Sequence, residues 1–382
     1  MPATPAHVAV IGNQMATMVR FRGSLIRRLA HGGARVTGLC PPGSAEEEAE
    51  LRRLGAEFVP LSALRRTSTN PVHDLQLLAE LLRHLRALRP THVLSYFLKP
   101  AIYGITAARF VGVPRRVALI EGLGFAFTAG EALGLRRRAL SGVAAGLLRA
   151  GLGRAHAVVA LNRDDEAFLR TRAGVPASRL HRMEGIGIDL DAFPVAPPVL
   201  EPPTFLLVAR LLREKGVREF AAAARIVKAQ APRARFVLVG GLDDPPGGVP
   251  RDEVDAWLRE GSVEWTGPLP NVRPQLAAAS VFVLPSWREG MPVSTMEAMA
   301  TGRPVITTTA PGCRDSVTPE VSGVLVPPRD PAALAEAMLR FVREPALIAS
   351  MGAAAADEAR RRYDARRQDA FLADLLLGTN SR

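Results

Sequence analysis

Residues 281–308 read VFVLPSWREGMPVSTMEAMATGRPVITT, and this stretch decides the fold class. It begins with a short apolar run rich in valine, continues through a turn into a helix-like segment, and ends in a second β-branched run. A strand, a helix and a second strand in this order are typical of a parallel sheet with helices on both faces. The stretch therefore predicts an α/β protein.

The same alternation of short apolar runs and longer helix-like segments extends along the whole chain. The apolar runs include residues 7–12, 34–40, 91–97, 115–122, 156–162, 204–210, 235–241, 280–286 and 303–309. The helix-like segments, with Leu, Ala and Arg at a spacing of three to four residues, include 17–31, 73–89, 217–230 and 331–344. This pattern predicts doubly wound, Rossmann-like parallel sheets.

Chain length and one proline-rich segment predict two domains. A chain of 382 residues is too long for a single core of ordinary size. Residues 191–205, DAFPVAPPVLEPPTF, contain five prolines and interrupt the alternation, as an interdomain linker does. We therefore expect a first domain over residues 1–195 and a second over residues 196–360. Residues 361–382 contain an apolar-striped helix with no strand after it, and we expect them to pack back on the first domain.

The composition excludes several classes of protein. The sequence has no run of 18 apolar residues, which excludes a membrane-spanning helix, and its hydrophobic content excludes a disordered chain. The N-terminal MPATPAHVAVIG lacks the features of a secretion signal, so we expect the protein to stay in the cytoplasm. Cys40 and Cys313 are far apart and lack His or Cys neighbours, which excludes a disulfide framework and a zinc site of the usual kind.

The net charge of +12 is concentrated in the first half of the chain. Residues 1–200 carry 26 basic and 15 acidic side chains, whereas residues 201–382 carry 23 and 22. A basic half is typical of binding to an anionic lipid surface, a nucleic acid or a phosphorylated substrate. Because only three of the basic residues are lysines, coding bias is an alternative explanation. Basic and aromatic residues are not interleaved, which disfavours a nucleic acid partner.

Ligands of open α/β sheets bind beyond the C-terminal ends of the strands, so the residues after each apolar run are candidate site residues. Gly12 follows the first run and precedes a helix. Backbone N–H groups at the start of this helix are suited to bind an anion, and a simple tight turn is the alternative. Arg210 ends another run, and Lys215 follows five residues later. These two cations are suited to clamp a diphosphate, although a solvated basic turn is the alternative.

Two glutamates in the opening stretch give the most specific signal. Glu289 lies in the loop and Glu297 in the following helix, with seven residues between them. Carboxylates accept hydrogen bonds from sugar or ribose hydroxyls, and the N–H groups of Met291, Val293 and Ser294 at the helix start favour a phosphate. Helix capping by Glu289 is the alternative, but a charged Glu297 within STMEAMA would be costly without a partner.

Two loops of the first half also carry charges after predicted strands. Lys99 lies in SYFLKPAIYG and Glu121 in IEGLGFAFTAG. The helix-like segment 132–154 follows, and it combines Leu, Val and Ala with arginines. The arginines include Arg136, Arg137 and Arg138. A basic amphipathic helix suits an anionic membrane surface, while a core-facing helix with arginines outside is the alternative.

Together these motifs resemble a known family. The second half, from TFLLVARLLREKGVREF through WREGMPVSTMEAMATGRPVITT to GVLVPPRDPAALAEAM, resembles over about 130 residues the nucleotide-sugar domain of family 4 retaining glycosyltransferases with the GT-B fold. FLKPAIYG and IEGLGFAFT resemble a subgroup that adds hexoses or N-acetylhexosamines to polyprenyl (undecaprenyl)-diphosphate-linked sugars. The resemblance implies two Rossmann-like domains, an acceptor domain followed by a nucleotide-sugar domain.

The resemblance also implies roles for single residues. Arg210 and Lys215 would bind the donor diphosphate, Glu289 the hydroxyls of the transferred sugar, and Glu297 the ribose. Gly12 would leave room for the diphosphate. The backbone N–H groups beside the sugar and phosphate would come from Gly290, Met291, Pro292 and Val293, with Ser294 also in the donor site.

The chemistry implied is transfer from a UDP-sugar with retention of anomeric configuration and without a metal or cofactor. The acceptor would be a polyprenyl-diphosphate-linked saccharide, and the protein would lie on the inner face of the plasma membrane. From their places in the first half, we expect Glu121 and the three arginines 136–138 on the acceptor side, and Lys99 at a phosphate of the acceptor or the donor. Many members carry a histidine in the first-domain loop where this chain has Lys99, so the role of Lys99 stays open. A sugar-nucleotide epimerase of the same architecture, or a transferase with a soluble acceptor, is the alternative.

Overall fold

A computed structural model describes residues 5–65, 68, 70–123, 135–243 and 247–379, with the backbone alone at 135–141, 143 and 144. In the described residues the chain forms two compact units. The first unit contains the chain up to Gly187 and again from Ala365, and the second runs from Ile188 to Asp364. The chain therefore first passes from the first unit to the second between Gly187 and Ile188, just before the proline-rich segment 191–205.

The first unit is built on a parallel sheet of seven described strands in the order β3-β2-β1-β4-β5-β6-β7. Its strands are β1 His7–Ile11, β2 Arg35–Cys40, β3 Ala56–Pro60, β4 His92–Tyr96, β5 Arg115–Ile120, β6 Ala157–Ala160 and β7 Leu180–Arg182. Its helices are α1 Met15–His31, α2 Ala45–Arg53, α3 Pro71–Leu88, α4 Leu98–Val111, α5 Leu135–Leu152, α6 Arg163–Thr171 and α13 Ala365–Leu377. Strands β1 and β6 are buried along their whole length, and β4 and β5 are buried after their first one or two residues, as expected for strands covered on both faces.

The C-terminal helix α13 belongs to the first unit, where it packs on α1, β4 and β5. Arg115 donates hydrogen bonds from Nε and Nη2 to the Leu375 carbonyl oxygen at 3.1 and 2.6 Å. The ring of Phe371 meets the ring of His181 edge to face, with 6.3 Å between centroids. The helix therefore covers apolar surface of the first sheet through both apolar and polar contacts.

The second unit has a parallel sheet of six described strands in the order β10-β9-β8-β11-β12-β13. The strands are β8 Thr204–Val208, β9 Arg235–Val239, β10 Glu264–Trp265, β11 Val281–Leu284, β12 Val305–Thr308 and β13 Gly323–Val326. The helices are α7 Val217–Gln230, α8 Arg251–Arg259, α9 Arg273–Ala277, α10 Val293–Ala300, α11 Pro331–Arg343 and α12 Ala346–Arg362. Its core joins α7 and α11 to the sheet, with the stacked rings of Phe205 and Phe236 5.2 Å apart.

The two parallel sheets confirm the predicted α/β fold class. In each sheet the strand order changes direction once, between β1 and β4 in the first and between β8 and β11 in the second. Loops diverge at such a switch point and leave a crevice at the C-terminal ends of the strands. The residues after β8 and β11, and those after β1 and β4, are therefore placed where a ligand site is expected.

Candidate active site

The switch point of the second unit brings together two of the predicted site residues, Lys215 and Glu289. Lys215 Nζ lies 2.6 and 2.8 Å from the two carboxylate oxygens of Glu289. The Lys215 side chain is 22% exposed and that of Glu289 11%, so the pair is largely shielded from water but still reachable. Charges in such a partly buried place interact more strongly than they do at an open surface.

The backbone of both loops fixes this pair. Lys215 ends a 3-10 turn that begins at Arg213, and the next residue, Gly216, has a φ of +72°. A Cβ at Gly216 would lie 2.2 Å from the carbonyl oxygen of Pro285, so only glycine lets the Lys215 loop approach the end of β11 so closely. Trp287 strengthens the same contact, because its backbone N–H donates to the Glu214 oxygen at 2.9 Å.

Glu289 is held from its other side by the loop that follows β12. Its backbone N–H donates to the Pro311 oxygen at 3.0 Å. The adjacent Gly312 has a φ of +76°, and a Cβ there would lie only 2.1 Å from the Glu289 carbonyl oxygen. The loops after β11 and β12 are therefore in direct backbone contact beneath the carboxylate.

Arg210, the other predicted cation, forms an ion pair with Asp243 rather than with a glutamate of the opening stretch. Asp243 follows β9, and the loops after β8 and β9 are hydrogen-bonded to each other. Leu211 N–H donates to Gly241 O, and Val249 N–H donates to Leu211 O, both at 2.9 Å. Arg210 is about half exposed, whereas Asp243 is 21% exposed. The two predicted cations of this loop, Arg210 and Lys215, therefore each have a carboxylate partner, Asp243 and Glu289 respectively.

The start of α10 lies directly after Glu289. The helix begins at Val293, behind the buried residues Met291 and Pro292, and Val293 and Ser294 are partly exposed in its first turn. Glu297, in the second turn, is 4% exposed. One part of the sequence prediction was wrong here: Pro292 has no amide hydrogen, so it cannot donate an N–H group to a ligand. Gly290, Met291 and Val293 retain theirs.

In the first unit, Gly12 and Tyr96 flank the switch point. Gly12 continues the sheet after β1, since its N–H donates to the Leu39 oxygen at 2.9 Å. A Cβ at Gly12 would lie 2.2 Å from the Tyr96 hydroxyl oxygen and 2.4 Å from the ring carbon that bears it. The absence of a side chain at Gly12 is therefore required by the buried ring of Tyr96.

Lys99, at the start of α4, is engaged within the first unit. Its Nζ lies 2.8 Å from Asp74 Oδ1 and also donates to the Ser68 carbonyl oxygen. Tyr103 donates its hydroxyl to the other Asp74 oxygen at 2.9 Å. Burial, and then this bond to Asp74, raises the pKa of Tyr103. Lys99 thus ties α4 to the start of α3 and to the segment before it.

Glu121, directly after β5, forms a buried ion pair with Arg22 of α1. The side chains of Arg22 and Glu121 are 1% and 8% exposed, and the guanidinium carbon of Arg22 lies 5.0 Å from the centroid of the Tyr96 ring. Burial lowers the pKa of Arg22, while the charges of Tyr96 and of Asp369 on α13 oppose this effect. Arg136, Arg137 and Arg138 lie in the first turn of α5, and their side chains are outside the described residues.

Four of the residues that shape these sites were not predicted, although the sequence positions of two of them follow predicted strands. Asp243 and Gly312 each come shortly after a predicted strand, so the rule that located Arg210 and Glu289 also applies to them. Arg22 and Asp74 lie inside helical patterns. Nothing in the sequence indicates which distant residue they contact.

Two features are absent from the described residues. In the described part of the chain, no cluster of three or more His, Cys, Asp or Glu side chains is arranged to hold a metal ion. Among its helices, none has the length and apolar character needed to span a membrane.

Comparisons with known proteins support the fold and the family. Residues 17–184 match the family described as "Glycosyl transferase 4-like domain", and residues 202–344 match "Glycosyl transferases group 1". Over 366 residues the chain is 27% identical to N,N'-diacetylbacillosaminyl-diphospho-undecaprenol alpha-1,3-N-acetylgalactosaminyltransferase of Campylobacter jejuni, covering 92% of this chain and 93% of that protein. It is 26% identical over 294 residues to UDP-Gal:alpha-D-GlcNAc-diphosphoundecaprenol alpha-1,3-galactosyltransferase of Escherichia coli, covering 72% of each.

A solved structure shows the same fold. Sucrose-phosphate synthase of Thermosynechococcus elongatus superimposes with a TM-score of 0.79 at 21% identity, covering 98% of this chain and 99% of that one. These findings confirm the predicted GT-B fold, and the two family matches confirm the predicted glycosyltransferase domains.

Proposed function

Because this chain belongs to the glycosyltransferases of the GT-B fold, with a 4-like domain followed by a group 1 domain, we propose that it transfers a hexose or N-acetylhexosamine from a UDP-sugar to a polyprenyl-diphosphate-linked saccharide. The Campylobacter and Escherichia relatives are named for sugars linked to diphospho-undecaprenol, and the latter is also named for UDP-Gal. The observation that carries the proposal is the shielded Lys215–Glu289 pair at the switch point of the second unit.

In this proposal the second unit binds the donor diphosphate. The bond between the anomeric carbon and the diphosphate oxygen breaks, and negative charge grows on the leaving UDP. Arg210, Lys215 and the N-terminus of α10 stabilise this charge. Since Arg210 is paired with Asp243 and Lys215 with Glu289, donor binding gives each cation a phosphate partner beside its carboxylate. In this proposal the two cations and the helix N-terminus act at the diphosphate in place of a metal ion.

The same site orients the sugar. Glu289 accepts hydrogen bonds from hydroxyls of the transferred sugar, and Glu297 accepts those of the ribose. The acceptor hydroxyl attacks the anomeric carbon on the face from which UDP leaves, so the configuration is retained. Its proton passes to a phosphate oxygen of the departing UDP. Gly12 stays a predicted donor-site residue by its place after β1, although the space of its missing side chain is taken by the Tyr96 ring.

The first unit takes the acceptor and the membrane surface in this proposal. The three arginines 136–138 start α5, and Leu147 and Arg149 of the same helix are exposed. This mixture suits a helix that lies on anionic lipid at the inner face of the plasma membrane. Lys99 and Glu121 follow β4 and β5 at the same sheet edge, on the acceptor side. Lys99 reaches a phosphate of the acceptor only by leaving Asp74.

A transfer assay tests the proposal. Purified protein is incubated with a panel of UDP-sugars and a polyprenyl-diphosphate-linked mono- or disaccharide, with and without EDTA, and the lipid product is followed by mass spectrometry. We expect a mass gain of one hexose or N-acetylhexosamine with one donor, and we expect EDTA to leave it unchanged.

The carboxylate assignment has a matched control. Glu289→Gln should abolish the mass gain, whereas Glu260→Gln should retain it, because Glu260 is a surface residue of the same unit paired with Arg225. If no donor gives a lipid product while UDP still binds, the lipid acceptor is wrong. A soluble acceptor or epimerisation of the UDP-sugar would then be tested.

Membrane binding is tested separately by sedimentation with vesicles. We expect the protein to sediment with vesicles of anionic phospholipid and to stay in solution with vesicles of zwitterionic phospholipid. Excess duplex DNA should not release it. Release by DNA at constant ionic strength would favour a nucleic acid partner instead.

A further inference from the structure

The second unit begins and ends at two chain segments that are hydrogen-bonded side by side. Ile188 is its first residue, and Tyr363 and Asp364 are its last. The Ile188 N–H donates to the Tyr363 oxygen at 2.8 Å, and Ile188 pairs with Asp364 in a parallel bridge. The ring of Tyr363 is fully buried. Tyr363 therefore stands inside the unit at the point where the chain enters and leaves it.

The side chain of Tyr363 is bonded to the loop after β12. Its hydroxyl donates to the Ser316 carbonyl oxygen at 2.7 Å. The neighbouring Arg362 donates to the Asp315 carbonyl oxygen at 2.6 Å, and its guanidinium carbon lies 5.1 Å from the centroid of the Tyr363 ring. Glu358, one turn earlier and 3% exposed, pairs with Arg362. The end of α12 is thus fixed to residues 315–316 by one buried and one partly buried hydrogen bond.

This loop leads directly to the backbone of Glu289. The Ser316 hydroxyl donates to the Cys313 oxygen at 2.6 Å, and the Cys313 N–H donates to the Ala310 oxygen at 3.1 Å. Between these residues, Pro311 accepts the Glu289 N–H, and Gly312 lies against the Glu289 carbonyl oxygen. A compact turn of seven residues therefore joins the Tyr363 hydroxyl to the peptide that carries the Glu289 carboxylate.

We infer that Tyr363 is a positioning residue for Glu289: its hydroxyl fixes residues 310–316, and these fix the carboxylate that faces the donor sugar. The inference rests on the proposed role of Glu289 in binding the sugar. Removing the hydroxyl leaves the buried Ser316 oxygen without this donor, and the turn then moves to find another. Arg210 and Lys215 lie on the loop after β8 and Glu297 lies in α10, all outside residues 310–316. We therefore expect binding of the UDP part to change little, even though Lys215 contacts the Glu289 carboxylate.

The variant Tyr363→Phe tests this inference, because it removes one oxygen and keeps the buried ring. Affinities for UDP and for the UDP-sugar accepted in transfer are measured by calorimetry, together with kcat. We expect UDP affinity to stay within about twofold while the UDP-sugar affinity and kcat fall by about 5- to 10-fold, the lower end of the cost of one orphaned buried acceptor. If the Tyr363 hydroxyl had only a structural role, its removal would lower the affinities for UDP and for the UDP-sugar by the same factor.

Two further variants make the result specific. Tyr103→Phe is the matched control, since it removes a tyrosine hydroxyl from the first unit, and the ratio of UDP-sugar to UDP affinity should not change. Arg362→Gln, which weakens the contact to Asp315, should lower that ratio in the same direction as Tyr363→Phe. It also replaces Tyr363→Phe as the test if the latter does not fold.

A double variant distinguishes the inference from the proposed function. If Tyr363 acts through Glu289, adding Tyr363→Phe to Glu289→Gln should cause no further loss of UDP-sugar affinity relative to UDP affinity. Additive losses, or a wild-type affinity ratio in Tyr363→Phe, would overturn the inference and leave the role of Glu289 intact. A wild-type ratio in Glu289→Gln alone would overturn the role of Glu289, and with it the inference.

Discussion

Replacing Gly312 by alanine should disable the sugar site by displacing Glu289. A Cβ at this position would lie 2.1 Å from the Glu289 carbonyl oxygen and 2.7 Å from that of Gly290. Cβ atoms in proteins essentially never approach closer than 3.0 Å, and both neighbours are backbone atoms that cannot rotate away. The Glu289 peptide must therefore retreat by roughly 1 Å, a displacement at a site that can cost on the order of 100-fold in rate.

A second cost is backbone strain. Gly312 has a φ of +76°, and alanine in the left-handed region costs about 1–2 kcal/mol. Gly261→Ala separates the two effects, because Gly261 has a φ of +66° in the same unit and a Cβ there would meet nothing within 4 Å. Both variants carry the backbone strain, but only Gly312→Ala also displaces the Glu289 peptide, so it should lose more thermal stability than Gly261→Ala and it alone should lose activity.

The assay is the initial rate of transfer at saturating donor, with the melting temperature and the affinity for UDP measured on the same samples. We expect kcat of Gly312→Ala to fall by about 100-fold, while Gly261→Ala stays near wild type and both variants still bind UDP. Equal kcat values for the two glycine variants would refute the reasoning. They would show that the contact between Gly312 and the Glu289 backbone does not determine the position of the Glu289 carboxylate.

Three other outcomes are expected. Lys215→Met should weaken UDP binding in calorimetry by about 10- to 100-fold, the effect of losing a charge-assisted bond to phosphate; an unchanged affinity would remove Lys215 from the diphosphate site. Burial raises the pKa of both thiols, Cys40 and Cys313, to about 12, so a thiol reagent at pH 8 should modify neither in the native protein and both after denaturation. Burial, and then the charge of a nearby arginine, lowers the pKa of His92 and of His181 in the folded protein. The unfolded chain therefore binds more protons as the pH falls through the ordinary histidine range, and the melting temperature should be lower at pH 5.5 than at pH 7.5; a higher value at pH 5.5 would contradict this.

The strands that the sequence predicts are those with apolar neighbours on both sides. All nine predicted runs are strands of the two sheets. The four strands that were not predicted, β3, β7, β10 and β13, are the edge strands of their sheets. Most positions of β3, β7 and β10 are at least partly exposed, so sequences such as AEFVP and LHR lack a continuous apolar run. β13 is different, because GVLV is apolar and mostly buried but only four residues long. Local pattern detects burial, and an edge strand has less of it.

The candidate site was predictable to the extent that its residues follow strands. Lys215 and Glu289 come after neighbouring strands of the switch point, and the structure places them in contact. Their partners were less accessible to sequence reasoning. Tyr363 meets a residue 47 positions away, and its hydrogen bond depends on how α12 packs rather than on any local pattern. Pairing between distant residues is decided by tertiary packing, which a single sequence does not display.

The central claim is that Glu289, held by Lys215 and by the loop after β12, binds the sugar of a donor that is transferred to a lipid-linked acceptor. The most direct test compares wild type with Glu289→Gln in one experiment that measures UDP affinity and the mass of the lipid product. We predict equal UDP binding, with a mass gain of one sugar in the wild type only. An equal mass gain in both proteins would contradict the claim.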